Sequence, residues 1–241
     1  MRFKLSKIKE LIKEKFLDIF FPPLCFSCRK FLLFEERKNF LCHSCFSSIK
    51  IHSSLFCPVC RSRITDNKKI CHFENNFLLG SATDFENPII RNLIHSLKFK
   101  KLSALSNPLS LFLSIYLKKL SLLLDQYIII PIPLSKQREI KRGFNQSKLI
   151  AQKISQEFNI PLFDILKKIK NSKPQAETKN STERIENIKD CFILKNKEII
   201  KNKNILLIDD VYTTGSTARE AIRILKIFKV NKIIVLTIAK T

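Results

Sequence analysis

The sequence predicts an α/β protein in which a parallel sheet flanked by helices follows a small cysteine-rich domain. Seven of the eight cysteines fall between Cys25 and Cys71. Uninterrupted apolar runs at residues 127–130, 205–208 and 233–236 have the length and composition of strands buried on both faces of a parallel sheet. Helical periodicity appears between them, with Ala218, Ile222, Leu225 and Phe228 on one side. The 241 residues amount to between one and two domains at roughly 150 residues each. The expected divisions are an amphipathic helix over 1–20, the cysteine module over 21–75 and the α/β domain over 80–241.

A hydrophobic fraction of 45% beside 27% charged residues supplies a core and excludes a chain disordered throughout. Lys and Arg number 44 against 21 Asp and Glu, a net charge of +23 that favours nucleic acid, phosphorylated metabolites or an anionic membrane as partner. The chain is also rich in Lys, Asn, Ile and Phe, with three Gly and no Trp, a bias that AT-rich coding produces unaided. The charge therefore carries half its usual weight.

At the N-terminus Ile8, Leu11, Ile12, Phe16 and Phe20 recur at helical spacing, and Pro22-Pro23 stop the helix. Its polar face mixes Glu with Lys, so it reads as a helix docked on its own protein rather than a membrane anchor or signal peptide. With no export signal the expected compartment is a reducing cytoplasm, where eight cysteines do not pair as disulfides.

The cysteines form three CxxC pairs, Cys25/Cys28, Cys42/Cys45 and Cys57/Cys60, followed by Cys71-His72. Two intervening residues let both thiolates reach one ion from a tight turn, and two such knuckles complete a structural zinc shell of four sulfurs. Cys25, Cys28, Cys42 and Cys45 make one full set. Cys57, Cys60 and Cys71 need a nitrogen ligand, for which His72 is the better candidate and His52 the other. A cross-braced arrangement joining the first knuckle to the third uses the same residues, so one or two structural zinc ions are expected. Phe26, Phe31, Phe34, Phe40 and Phe46 would form the module's small core. A four-thiolate site leaves no position for water, which argues against catalysis there.

The apolar stretch at 109–124 is broken by Lys118-Lys119 and falls short of the roughly 20 residues needed to span a bilayer, so a core helix is expected and no transmembrane segment. After the run at 127–130 come Arg138, Lys141 and Arg142, a basic loop at a strand end suited to a pyrophosphate. Residues 167–189 are polar and read as a lid. Cys191 reads as a small core residue.

The run at 205–208 leads through Asp209-Asp210 to a loop of Thr213, Thr214, Gly215, Ser216 and Thr217 and then a helix. Free amides at a helix N-terminus favour a phosphate, and carboxylates beside that cradle make sense if they hold sugar hydroxyls or magnesium. The apolar strand, acidic pair and Thr-Thr-Gly-Ser-Thr loop together resemble the phosphoribosyl-diphosphate (PRPP) signature of type I phosphoribosyltransferases. That resemblance implies a type I phosphoribosyltransferase-like sheet, with Asp209 and Asp210 on the ribose hydroxyls, residues 213–217 around the 5′-phosphate, and magnesium bound with PRPP.

The segment PIPLSKQREIKRGFNQSKLIAQKI is more discriminating, because its Pro-x-Pro-Leu and Arg-Gly-Phe-Asn-Gln resemble the ComF family. The segment at 92–99, Gln175, Glu183, Arg184 and Asn187 agree, and the resemblance runs from about Phe20 to Thr241. Members often carry a fourth CxxC where this chain has only Cys71. The family implies a role in DNA uptake and single-stranded DNA handling during natural transformation, with the competence machinery as partner. The alternatives are a phosphoribosyltransferase of unknown acceptor and a PRPP-sensing regulator without turnover. No acceptor-recognising segment is legible, and a homodimer is compatible with the fold.

Overall fold

The computed structural model describes residues 18, 20–64, 72, 77–169 and 190–241. The chain divides into two compact units, Met1–Ile49 and Lys50–Thr241. This boundary places Cys25, Cys28, Cys42 and Cys45 in the first unit and Cys57 and Cys60 in the second. Of the expected N-terminal helix only Asp18 and Phe20 belong to the described residues, and both are helical.

In the first unit Leu24 bridges Phe31 around the Cys25/Cys28 turn, a 3-10 turn spans Phe34–Asn39, and helix α1 spans His43–Ser47. Glu36 ties this segment together, its carboxylate accepting from the amides of Leu33 at 2.8 Å and His43 at 2.6 Å. Those two amides hold its carboxyl below the usual range. Among the described residues of this unit the buried apolar side chains are Cys25, Leu32, Leu41, Cys42 and Ile49. The expected phenylalanine core is corrected: Phe31 and Phe34 are each 73% exposed, and Phe26, Phe40 and Phe46 only half-buried. So short a segment, wound around two cysteine turns, has no room to enclose five aromatic rings.

The second unit opens with β1 (Leu55–Phe56) and β2 (Arg63–Ile64), an antiparallel pair with the Cys57/Cys60 turn between them. β3 (Leu78–Asp84) follows, then α2 (Pro88–Phe99), whose N-terminus is capped by the Asn87 carboxamide and has Pro in its first turn. α3 (Ser106–Lys119) precedes β4 (Tyr127–Pro131). α3 ends at the two lysines, with Leu120 extended, and buries Leu109, Phe112, Leu113, Tyr116 and Leu117. Among the described residues no helix is long and apolar enough to cross a membrane.

The expected basic loop after β4 is a short helix, α4 (Lys136–Arg142), closed by Gly143 at φ 86°. No Pro or Gly interrupts those seven residues, and glycine takes the left-handed C-terminal position without strain. α5 (Gln146–Phe158), capped by Asn145, leads to the two-stranded sheet of β5 (Leu166–Lys168) and β6 (Phe192–Leu194). Apart from residues 167–169, the expected lid up to 189 lies outside the described residues.

β7 (Asn204–Tyr212), α6 (Ser216–Lys226) and β8 (Ile233–Lys240) complete the unit. The sheet order is β2-β1-β3-β8-β7-β4, parallel from β3 through β4. Ile128, Ile130, Ile205, Leu207 and Val235 pack with Ala218, Ile222 and Leu225 of α6 and with Phe192 of β6. Each large side chain so buried contributes about 2 kcal/mol. The alternating residues Ile129, Leu206, Ile208, Ile234 and Leu236 are equally buried, and α3 and α5 pack against this sheet. Burial on both faces is what the unbroken apolar runs require.

Candidate functional site

Two groups of metal-ligating side chains assemble. The Sγ atoms of Cys25, Cys28, Cys42 and Cys45 lie within 4.8 Å of one another, as do the ligand atoms of Cys57, Cys60 and His72. A tetrahedral zinc shell with Zn–S near 2.3 Å sets its sulfurs about 3.8 Å apart. Cys28 and Cys42 Sγ are separated by 3.6 Å, and Cys57 Sγ and His72 Nδ1 by 3.5 Å, so both donor sets fit zinc. The first knuckle pairs with the second, not with the third as cross-bracing would require. Cys71 lies outside the described residues. His52 belongs to neither set: it is buried, with Nε2 3.1 Å from an Asp84 carboxylate oxygen, and burial lowers its pKa.

Thiolate character follows from the backbone. Against burial, which raises it, the amides of Cys28, Cys42 and Ser27 bring the Cys25 thiol down to about 6. Burial, with the neighbouring thiols, pushes Cys45 up to about 12. A bound cation removes that cost, which makes the first cluster a structural metal site.

The second candidate site is a cavity of about 720 Å³ at the C-terminal edge of the parallel strands. Open α/β sheets bind their ligands at this edge. Its lining brings together Asp209, Asp210, Thr213, Gly215, Ser216 and Thr217 with Arg138, Lys141 and Arg142, so two segments about 70 residues apart in the chain share one cavity. Thr214 is outside the lining, its hydroxyl 2.9 Å from that of Ser216.

Strand β7 continues through Tyr212, so both carboxylates and Val211 sit on the strand rather than in the loop. The continuous ladder to β8, which pairs Tyr212 with Lys240, carries it that far. Gly215 is the N-cap of α6 and provides no side-chain cap, leaving the cradle to backbone amides. Its φ of 75° is one reason for glycine, and a Cβ there would lie 2.2 Å from the Tyr212 hydroxyl oxygen.

The acidic pair is electrostatically distinct. Asp210 is buried, with one oxygen 2.7 Å from Lys98 Nζ and the other, Oδ2, lacking a hydrogen-bond partner among the described residues. Asp209 accepts from the Ser147 hydroxyl at 3.0 Å and from the Asp210 amide at 2.8 Å. Burial, then the adjacent Asp210 carboxylate, pushes the Asp209 carboxyl up to about 7. A buried, unpartnered carboxylate oxygen is suited to a hydroxyl donor. Arg142, lowered by burial and supported by the two aspartates, stacks its guanidinium 5.5 Å from the Phe99 ring centre.

Lys98, Ser147, Arg91 and Lys168 also line the cavity, with no functional role assigned to them from sequence. Lys98 lies in the 92–99 segment and Ser147 follows the Asn-Gln of the discriminating motif, so both were within quoted stretches.

Residues 16–73 match the double zinc ribbon domain family and residues 145–241 the phosphoribosyl transferase domain family. The chain is 30% identical over 210 residues to Competence protein ComFC of Bacillus subtilis, covering 81% of this chain and 80% of that protein. It is 30% identical over 233 residues to Competence protein F of Haemophilus influenzae, covering 92% and 98%. Against DNA utilization protein YhgH of Escherichia coli K12 the identity is 26% over 215 residues, 85% of this chain and 91% of that one. With a zinc-fitting cysteine cluster in the first unit, a phosphate-suited strand edge in the second and 30% identity to relatives matched over 80% and 98% of their length, the chain belongs to the ComF family.

Proposed function

We propose that this protein binds magnesium PRPP at the edge of β7 and acts in the uptake or handling of single-stranded DNA during natural transformation. The observation that carries the PRPP reading is the convergence of the acidic pair, the loop at the α6 N-terminus and the α4 cations on one cavity. Asp209 and Asp210 accept the ribose hydroxyls, the unpartnered Asp210 Oδ2 being suited to one of them. Thr213, Thr214, Gly215, Ser216 and Thr217 surround the 5′-phosphate with amides and hydroxyls. Arg138, Lys141 and Arg142 meet the diphosphate, whose charge magnesium would partly neutralise. The DNA reading is supported by the printed names of the relatives and by the net charge of +23.

Calorimetric titration with magnesium PRPP, repeated with a single-stranded oligonucleotide at two salt concentrations, tests both parts. Binding abolished by Asp209→Asn with Asp210→Asn, and DNA affinity that falls steeply with salt, is the expected result. A wild-type protein that gives no PRPP heat overturns the site; salt-insensitive or absent DNA binding overturns the partner. Turnover is a second reading, favoured by the apolar wall of Phe85, Ile94 and Phe99 in the same cavity, and pyrophosphate release with a suitable acceptor would identify it.

A further inference from the structure

The Cys57/Cys60 turn is bonded to the loop that follows β7. Tyr212 donates its hydroxyl to the carbonyl of Pro58 at 3.1 Å, and Arg219 Nη2 reaches the same oxygen at 3.5 Å. Arg61 Nη2 donates to the Thr213 carbonyl at 2.7 Å, while its Nη1 bonds the main-chain oxygen of Thr241. Arg219 Nη1 holds the next carbonyl, that of Thr214, at 2.7 Å. Pro58 lies between two of the metal-ligating cysteines, and Arg61 directly follows the second.

These bonds have a consequence for anion binding. A carbonyl that swings toward a phosphate repels it, and in a trans peptide the carbonyl and the following N–H point in opposite directions. Clamping the Thr213 and Thr214 carbonyls therefore fixes the opposite orientation of the Thr214 and Gly215 amides. Tyr212 occupies the space that the missing Cβ of Gly215 leaves, so the knuckle also secures the ring over the glycine.

Arg61 holds φ at 61°, a left-handed conformation that non-glycine residues rarely adopt. The closed turn sustains it: the Arg61 amide donates to the Cys57 carbonyl at 2.9 Å and the Cys57 amide to the Ser62 carbonyl at 3.0 Å. A metal held by Cys57, Cys60 and His72 would lock this turn and with it the direction in which Arg61 leaves the backbone.

We infer that the second cysteine knuckle is a positioning element for the phosphate loop, with Arg61 as its positioning residue, so that zinc held by Cys57, Cys60 and His72 sets the affinity of that loop for phosphate. The inference rests on the reading of residues 213–217 as a phosphate cradle. It assigns the metal a function beyond stabilising the turn that binds it.

The test is made on the full chain as wild type, Arg61→Ala, Arg61→Lys, Cys60→Ser and Arg29→Ala, with zinc content, magnesium PRPP affinity and amide hydrogen exchange over residues 213–217 measured for each. Arg61→Ala should keep all its zinc, bind PRPP roughly tenfold more weakly and exchange faster across the loop, with Arg61→Lys recovering part of both losses. Cys60→Ser should lose one zinc and loosen the same amides. Arg29→Ala, at the matching position of the first knuckle, should leave affinity and loop exchange unchanged. Unaltered affinity and exchange in Arg61→Ala overturn the brace. Zinc loss from Cys60→Ser without faster loop exchange overturns its dependence on the metal. A wild-type protein that does not bind PRPP overturns the phosphate reading instead, and loop exchange in Arg61→Ala then decides the brace by itself.

Discussion

The two CxxC turns at Cys25 and Cys57 are nearly the same object. Each places an arginine in the left-handed region directly after its second cysteine, Arg29 at φ 63° and Arg61 at φ 61°. The amide of the leading cysteine donates five residues on, to the carbonyl of Lys30 at 2.7 Å in one and of Ser62 at 3.0 Å in the other. Their surroundings differ. The first turn is in the small unit, where two of the five buried apolar side chains among the described residues are themselves cysteines. The second joins β1 to β2 at the edge of a six-stranded sheet. A metal in the first turn would complete a core, and one in the second would fasten a loop to a core that already exists; the same local motif has different worth because burial around it differs.

The sharpest way to break this comparison is to remove a ligand from each turn. Cys25→Ser should lose one zinc and the cooperative structure of the first unit, read by metal content and by tryptic cleavage within residues 20–49. Retention of that metal and of protease resistance would show that the first core stands without its zinc. Cys57→Ser should also lose one zinc, yet leave the main thermal transition of the second unit in place, lowered by roughly 1–3 kcal/mol. Complete unfolding of both variants would erase the distinction.

An effect smaller than the loss of the first unit is expected at the glycines. Gly215→Ala places a Cβ against the Tyr212 ring at a positive φ, whereas Gly143→Ala, at φ 86°, meets nothing within 4 Å among the described residues. Denaturant titration should show a loss of about 2–3 kcal/mol for the first and about 1 kcal/mol for the second. Equal losses would mean that the Tyr212 contact yields freely.

A pH slope confined to the second unit separates it from the first in another way. The Asp209 carboxyl is raised to about 7 by burial and then by Asp210, so the folded state holds a proton that the unfolded chain gives up above about 4. The associated stability is present below about pH 4 and is lost as pH rises through about 7. Asp209→Asn should flatten the stability profile across that window without changing zinc content, and an unchanged profile would place the titration elsewhere. PRPP affinity should run the other way in the wild type, rising as Asp209 ionises.

The cysteine turns, the buried strands and the acidic strand-end followed by a Thr-Thr-Gly-Ser-Thr loop were legible in the sequence because each is decided within a few residues. CxxC spacing confines two thiolates to one turn, an unbroken apolar run demands cover on both faces, and Gly215 supplies a backbone angle that its neighbours need. Partners distant in the chain were decided only by the tertiary structure. Strand order places α2 so that Lys98 reaches Asp210, and α5 so that Ser147 reaches Asp209, 62 residues away in sequence. Arg61 meets Thr213 across 152 residues because β1 joins the sheet beside β3, next to β8 and β7. Spacing along the chain carries no record of such pairs, since their geometry arises from the order in which whole strands pack and not from the residues that meet.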